Sequence, residues 1–254
     1  MAAAMLVSLA AFGDNSNAIE AEGSGDIILC SYQCAHICED KETNFGYSNN
    51  GYALYNWNIM MPVKIYGNDI TALRAALEEL GGVKIEDGKC VPQMLPEGIH
   101  LTNLPTSTEY WYTSSVDVSV CQASKNLVVW RNEYYFYYDT SSHDVSGKRY
   151  LTYYVPDNTI VTLDKVFVEG YADRVASDLR SIADTDEYRN MFFDVNAIDI
   201  PKDFYVQGRE LVFVYQRMDI SPCHAGVVEL PYCPDEDMLT PFGRKVLSVP
   251  NYGY

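Results

Sequence analysis

Apolar residues recur along this chain in two rhythms, every second position and every third or fourth, and the rhythms change in blocks. Ile27 to Cys38 alternates only weakly, but it contains no strong helix former and reads as a strand. Tyr52 to Val63 reads as a second strand, and the asparagine- and glycine-rich stretch NFGYSNNG between the two reads as their connection. Next, Ile70, Leu73, Leu77 and Leu80 share one helical face. Asn68 or Asp69 can cap its start, and Gly81-Gly82 can end it. Residues 83–108 read as loop, punctuated by Pro92, Pro96 and Pro105.

From Tyr110 onward the two-residue period dominates. EYWYTSSVDVSVCQ alternates, NLVVWRNEYYFYYD is aromatic and branched, and GKRYLTYYVP alternates again. A second helix is marked by Tyr171, Val175, Leu179 and Ile182. Two further strands, DFYVQG and ELVFVYQRMDI, lead to AGVVELPY. A last short helix fits PDEDMLTPFGRKVLS, with Pro241 as a possible breaker. The pattern predicts an α+β fold, a mainly antiparallel sheet with two or three helices packed on it.

Composition sharpens this picture in two places. Tyrosine occurs 21 times against 9 phenylalanines, which suits half-buried strands and binding surfaces alike. The formal net charge of −17 repels phosphate backbones and anionic lipid, so nucleic acid is excluded as a partner. The same field suits a cation or a basic protein, or serves solubility alone.

At the N-terminus an apolar run, Ala2 to Phe12, is too short to span a bilayer. Ser16-Asn17-Ala18 then places small residues at the −3 and −1 positions of a signal-peptidase site, although no basic segment precedes the run. This predicts a signal peptide over 1–18 and a mature chain starting near Ile19. The competing reading is an apolar first helix, and Gly13, Asp14 and Asn15 continue no such helix. No membrane anchor is expected, and an exported chain is expected in the periplasm or outside the cell.

Export changes the meaning of the seven cysteines, Cys30, Cys34, Cys38, Cys90, Cys121, Cys223 and Cys233, because thiols outside the cytosol tend to pair. The first three stand four residues apart. On one strand they share a face with Tyr32 and His36 and are spaced by about 13 Å, too far to chelate one metal or to bridge each other. Pairing with cysteines elsewhere, or plain packing, is expected, with no metal site and no cofactor; the pairing itself is not legible.

Other candidates weigh toward structure. Cys223 beside His224 points to opposite faces if the segment is a strand, and only a turn at Pro222 would bring thiol and base together. The contiguous cluster Ser141-Ser142-His143-Asp144 reads as a hairpin turn, since catalytic triads assemble from separate segments. DTDEYRN and DVNAID lack the glycine and terminal glutamate of a calcium loop. The aromatic strand 134–138 suits burial, with sugar stacking as the alternative. No catalytic residue and no binding residue is assigned.

Residues 110–248 carry one further signal. A strand, an aromatic strand and a small-residue–histidine turn, Thr140-Ser141-Ser142-His143, come first. Leu163-Asp164-Lys165-Val166-Phe167 precedes a helix, and Met218-Asp219-Ile220-Ser221-Pro222-Cys223-His224-Ala225-Gly226 joins two strands before a closing helix. This order resembles the family named for the extracytoplasmic domain of the anti-sigma factor RsiV. The same family stands beside a related region in the peptidoglycan deacetylase PdaC, which residues 27–82 resemble. In that pattern the turn has two glycines, then alanine and histidine, and an aromatic pair flanks the position of Asp219; both differ here. The resemblance divides the chain at 19–109 and 110–254, the two packing as one module. It implies an envelope-exposed binding domain; in RsiV such a domain senses lysozyme, a basic protein. The expected function is therefore non-enzymatic binding of a cell-wall glycan or a cationic protein. A hydrolase acting on glycan or ester is the alternative. The resemblance also places Pro222 and Gly226 at the bend between the last two strands; His224 is expected near the surface and is assigned no catalytic role.

Overall fold

The computed structural model describes residues 18–20, 27–40, 51–93, 110–138 and 144–248. Except for Ala18, the predicted leader lies outside these residues, as do the NFGYSNNG connection up to Asn50, the segment 94–109 and the turn Thr140 to His143. The fold is α+β. Two compact units divide the chain, one of residues 1–119 and 132–146, the other of 120–131 and 147–254.

Most of a seven-stranded sheet builds the first unit. Its strands β1 (Ala18–Glu20), β2 (Ile27–Asp40), β3 (Gly51–Ile65) and β6 (Tyr110–Ala123) are neighbours in that order, followed by β7 (Leu127–Tyr138), β8 (Val145–Tyr154) and β9 (Thr159–Ile160). The β2–β3 pair is a long antiparallel ribbon from Ile27↔Ile65 to Asp40↔Gly51, whereas β3 and β6 run parallel. Period-two burial puts Cys30, Tyr32 and Cys34 of β2 and Trp57, Ile59 and Met61 of β3 inside. Weak alternation in the sequence of β2 did not prevent a strand of the predicted kind.

Helix α1 (Thr71–Gly81) buries Leu73, Leu77 and Leu80, the face its periodicity predicts. The N-cap position falls on Ile70, with no side-chain cap, instead of the expected Asn68 or Asp69; Asp69, one residue earlier, accepts hydrogen bonds from the Thr71 backbone N–H (3.0 Å) and hydroxyl (2.7 Å), which hold its carboxyl below the usual carboxylate range. The loop reading of 83–108 is corrected at its start. Val83–Glu86 (β4) and Lys89–Pro92 (β5) form an antiparallel hairpin. Its turn, Asp87-Gly88, has φ of 49° and 75° at its two central residues, the pair of left-handed conformations a two-residue hairpin needs and that Asp-Gly supplies.

The second unit packs helices on a three-stranded antiparallel sheet, β10 (Asp203–Gln207), β11 (Glu210–Tyr215) and β12 (Val228–Tyr232). Helix α2 (Leu163–Val166) and helix α3 (Ala172–Ala183) contribute Val166, Val175 and Leu179 to one core with Phe213, Leu230 and Val246. Tyr171, read as part of the α3 stripe, precedes the helix and stacks on Phe167 at 4.8 Å. Pro241 starts a helix instead of breaking one: α4 (Pro241–Leu247) carries it in the first turn, where its missing N–H costs nothing, and Thr240 Oγ1 accepts from Gly243 N at 2.9 Å. Among the described residues no helix is long and apolar enough to cross a membrane.

Candidate functional site

The register of the three-stranded sheet sorts its side chains onto two faces. Phe204, Val206, Leu211, Phe213, Leu230 and Tyr232 face the core. Asp203, Val214 and Glu229 are cross-strand partners on the other face, and Tyr205 lies two residues from Asp203 on that same face. On β8, Lys148 and Tyr150 likewise share a face by the two-residue period.

These residues converge on Glu229. Tyr150 donates to its Oε1 and Tyr205 to its Oε2, each at 3.0 Å, and Lys148 Nζ lies 3.3 Å from Oε1. The two tyrosine rings stack with centroids 4.4 Å apart. Burial, followed by the neighbouring Glu229 charge, pushes both phenols well above the usual tyrosine range, so both remain hydrogen-bond donors. The cluster lines a cleft of about 220 Å³ whose walls also include Gln122, Arg131 and Gln207, with Cys121 at an exposed edge.

Gln216 holds the wall of this cleft in place. Its side-chain carbonyl accepts from Lys148 N (3.0 Å), while its amide donates to Lys148 O (2.5 Å) and to Asp203 Oδ2 (3.2 Å). Burial raises the Asp203 carboxyl above the usual range, opposed chiefly by Arg149, whose Nε is 3.7 Å away. A larger hollow of about 380 Å³ lies along Ala197 to Asp203 and reaches Asp219 and Ile220.

Both carboxylate oxygens of Glu229 accept from phenols, and the Lys148 ammonium stands beside one of them. Side-chain amides, a guanidinium and an ammonium lining a partly open cleft offer fixed donors and acceptors to a hydroxylated ligand.

The residues singled out by sequence lie elsewhere. Cys30 and Cys34 are buried in β2 opposite Met61 and Trp57; Cys38 belongs to the same strand, and its side chain lies outside the described residues. The strand geometry assumed for Cys223 and His224 is corrected, since Cys223–Ala225 is a 3-10 turn following Pro222. That turn does not make a nucleophile–base pair: Arg217 Nη2 donates to Cys223 Sγ at 2.7 Å, and His224 is exposed. In DTDEYRN, Asp184 pairs with Arg189 at 2.9 Å. In DVNAID, Asp194 accepts from the Asn196 backbone at 2.9 Å. On the aromatic strand, Tyr134 and Phe136 are half-buried with ring centroids 5.8 Å apart, while Tyr135 is exposed. Gly226 has φ 68°, between Pro222 and β12, as expected of a bend.

Sequence reasoning missed the Glu229 cluster. One signal was available: a glutamate between Val228 and Leu230 in an otherwise apolar strand. Its partners lie 24 to 81 residues away, and no local pattern joins them.

No protein-family model matches the chain, and no curated protein is similar to it. Among solved structures, its fold is similar to that of a DUF3298 family member from Bacteroides fragilis. The likeness has a TM-score of 0.56 at 20% identity and covers 87% of this chain and 96% of the other. A DUF3298 family protein from Pseudomonas aeruginosa is similar with a TM-score of 0.56 at 14% identity, over 85% of this chain and 96% of that one. At such identities the likeness is one of fold.

Proposed function

We propose that this chain is an exported binding protein of the bacterial envelope, and that the Glu229 cleft receives a cell-wall glycan. One observation carries the reading. Glu229 is held by Tyr150, Tyr205 and Lys148 at the wall of a cleft, a fixed polar array with planar side chains beside it. Sugars are bound through such combinations of ring surface and oriented hydrogen-bonding groups. The segment 1–18 read as a signal peptide supports export. The resemblance of residues 110–248 to the RsiV-like family supports an envelope setting.

Calorimetric titration of the purified chain with soluble peptidoglycan-derived oligosaccharides tests this. Saturable binding is expected. Glu229→Gln leaves Lys148 without its counter-charge and weakens a donor-oriented array, so affinity falls about tenfold, equivalent to about 1.4 kcal/mol. Absence of binding at millimolar sugar, or equal affinity in the variant, defeats the glycan assignment. Release of new reducing ends from the sugar would move the protein to the hydrolase reading.

A cationic protein ligand has a separate basis, the net charge of −17 together with exposed carboxylates such as Asp186. That reading predicts capture of a basic protein such as a lysozyme that weakens steeply with added salt and is indifferent to Glu229→Gln.

A further inference from the structure

Two cysteines of the first unit meet away from the cleft. Cys34 projects from the buried face of β2 at 7% exposure, and Cys90 projects from β5 at 4%. Strand β5 packs directly against β2 in the first unit, with both cysteines buried, and the neighbouring Cys34 raises the Cys90 thiol above its usual range. Cys30 shares the strand and the face of Cys34, but four strand residues place it about 13 Å along, beyond the reach of a bridge to the same partner.

We propose that Cys34 and Cys90 form a disulfide when the chain folds under oxidising conditions, stapling the β4–β5 hairpin to β2. A two-stranded hairpin is marginal by itself, and this one pairs with no third strand among the described residues, so a covalent tie to the large sheet fixes its position. The oxidant is an external disulfide such as oxidised glutathione. A thiolate of one cysteine attacks it, forms a mixed disulfide and releases one glutathione thiol. The second cysteine then displaces the other glutathione. Two thiol protons leave the protein, two electrons pass to the external disulfide, and two molecules of reduced glutathione result.

Burial separates this bridge from a redox switch. The Cys90 thiol is pushed far above the usual range by its neighbour and by burial, so little thiolate exists in the folded chain. Exchange therefore belongs to the folding chain, when both cysteines are open to solvent, and the folded bridge resists reductant. This inference concerns the first unit and stands whether or not the cleft binds sugar.

The test is refolding of the full chain in a glutathione redox buffer, followed by thiol blocking, proteolysis and mass spectrometry without reductant. A peptide pair joining Cys34 to Cys90 is expected. Cys30→Ser leaves that pair intact. Cys34→Ser releases Cys90 as a blocked thiol and lowers the oxidised protein's Tm on the order of 10 °C, with little difference between the two proteins once both are reduced. Recovery of Cys34 and Cys90 as separately blocked thiols in the refolded wild type, or of Cys90 joined to another cysteine, overturns the proposal. The wild-type map decides the outcome by itself if Cys34→Ser does not fold.

Discussion

The two units treat their polar side chains differently. In the first, Ser31 Oγ donates to Asn58 Oδ1 (2.8 Å) and Asn58 Nδ2 donates to Asp117 Oδ1 (2.6 Å), a chain across β2, β3 and β6. In the second, Tyr150, Tyr205 and Lys148 converge on one carboxylate beside a cleft. Both arrangements satisfy partly buried groups, as burial demands. The first stitches neighbouring strands of one sheet. The second gathers residues from two sheets and leaves amides and cations at a solvent-reached wall. Polar groups that tie strands together serve the fold, whereas polar groups assembled beside a cleft offer a surface to something else.

The largest test of this contrast is alkaline pH. Tyr150, Tyr205, Tyr215 and Tyr232, all in the second unit, are each raised well above the ordinary phenol range, chiefly by burial. Each therefore holds its proton more tightly folded than unfolded, where it leaves near pH 10. The stability they contribute is fully present below about pH 10 and is lost as pH rises above it. Phenolate absorbance from these residues should emerge in the same transition that abolishes the circular dichroism of the fold. Early ionisation in a still-folded chain would contradict it.

Backbone contact comes next, and glycine distinguishes the units here too. A Cβ at Gly243 would sit 2.2 Å from the Val166 carbonyl oxygen, an atom that cannot swing aside. Gly243→Ala should cost about 3 kcal/mol by forcing α4 off α2, read as a denaturant midpoint shift. At Gly226 nothing crowds a new side chain, but φ of 68° excludes a β-branched one. Gly226→Val should cost about 1–3 kcal/mol from backbone conformation alone, while His224→Ala, at an exposed position, should shift the thermal melt far less. Abolition of a hydrolytic activity by His224→Ala with an unchanged melt would replace binding with catalysis.

The smallest effect is expected in the first unit. At Gly81 the nearest atom to a new Cβ is Ile59 Cδ1 at 2.8 Å, the mobile end of a side chain. Gly81→Ala also gains helix propensity of up to about 1 kcal/mol in the last turn of α1. A net change within about 1 kcal/mol is expected. A loss as large as that of Gly243→Ala would mean that Ile59 is as rigid as backbone.

Local sterics and period determined much of this protein before any fold was known. Two-residue alternation put Cys30, Tyr32 and Cys34 on one face, and helical spacing put Leu73, Leu77 and Leu80 on another. These features depend on neighbours within a few residues, so a short window carries them. The Asp87-Gly88 hairpin was equally legible and was overlooked among prolines. Tertiary structure alone decided that β3 runs parallel to β6, that Pro241 begins a helix, that Cys34 meets Cys90, and that Tyr150, Tyr205 and Lys148 close on Glu229. Each of these depends on strand order or on the packing of distant segments. Two residues 81 apart can touch only after every intervening strand has found its place, and nothing in the short sequence around either of them records that contact.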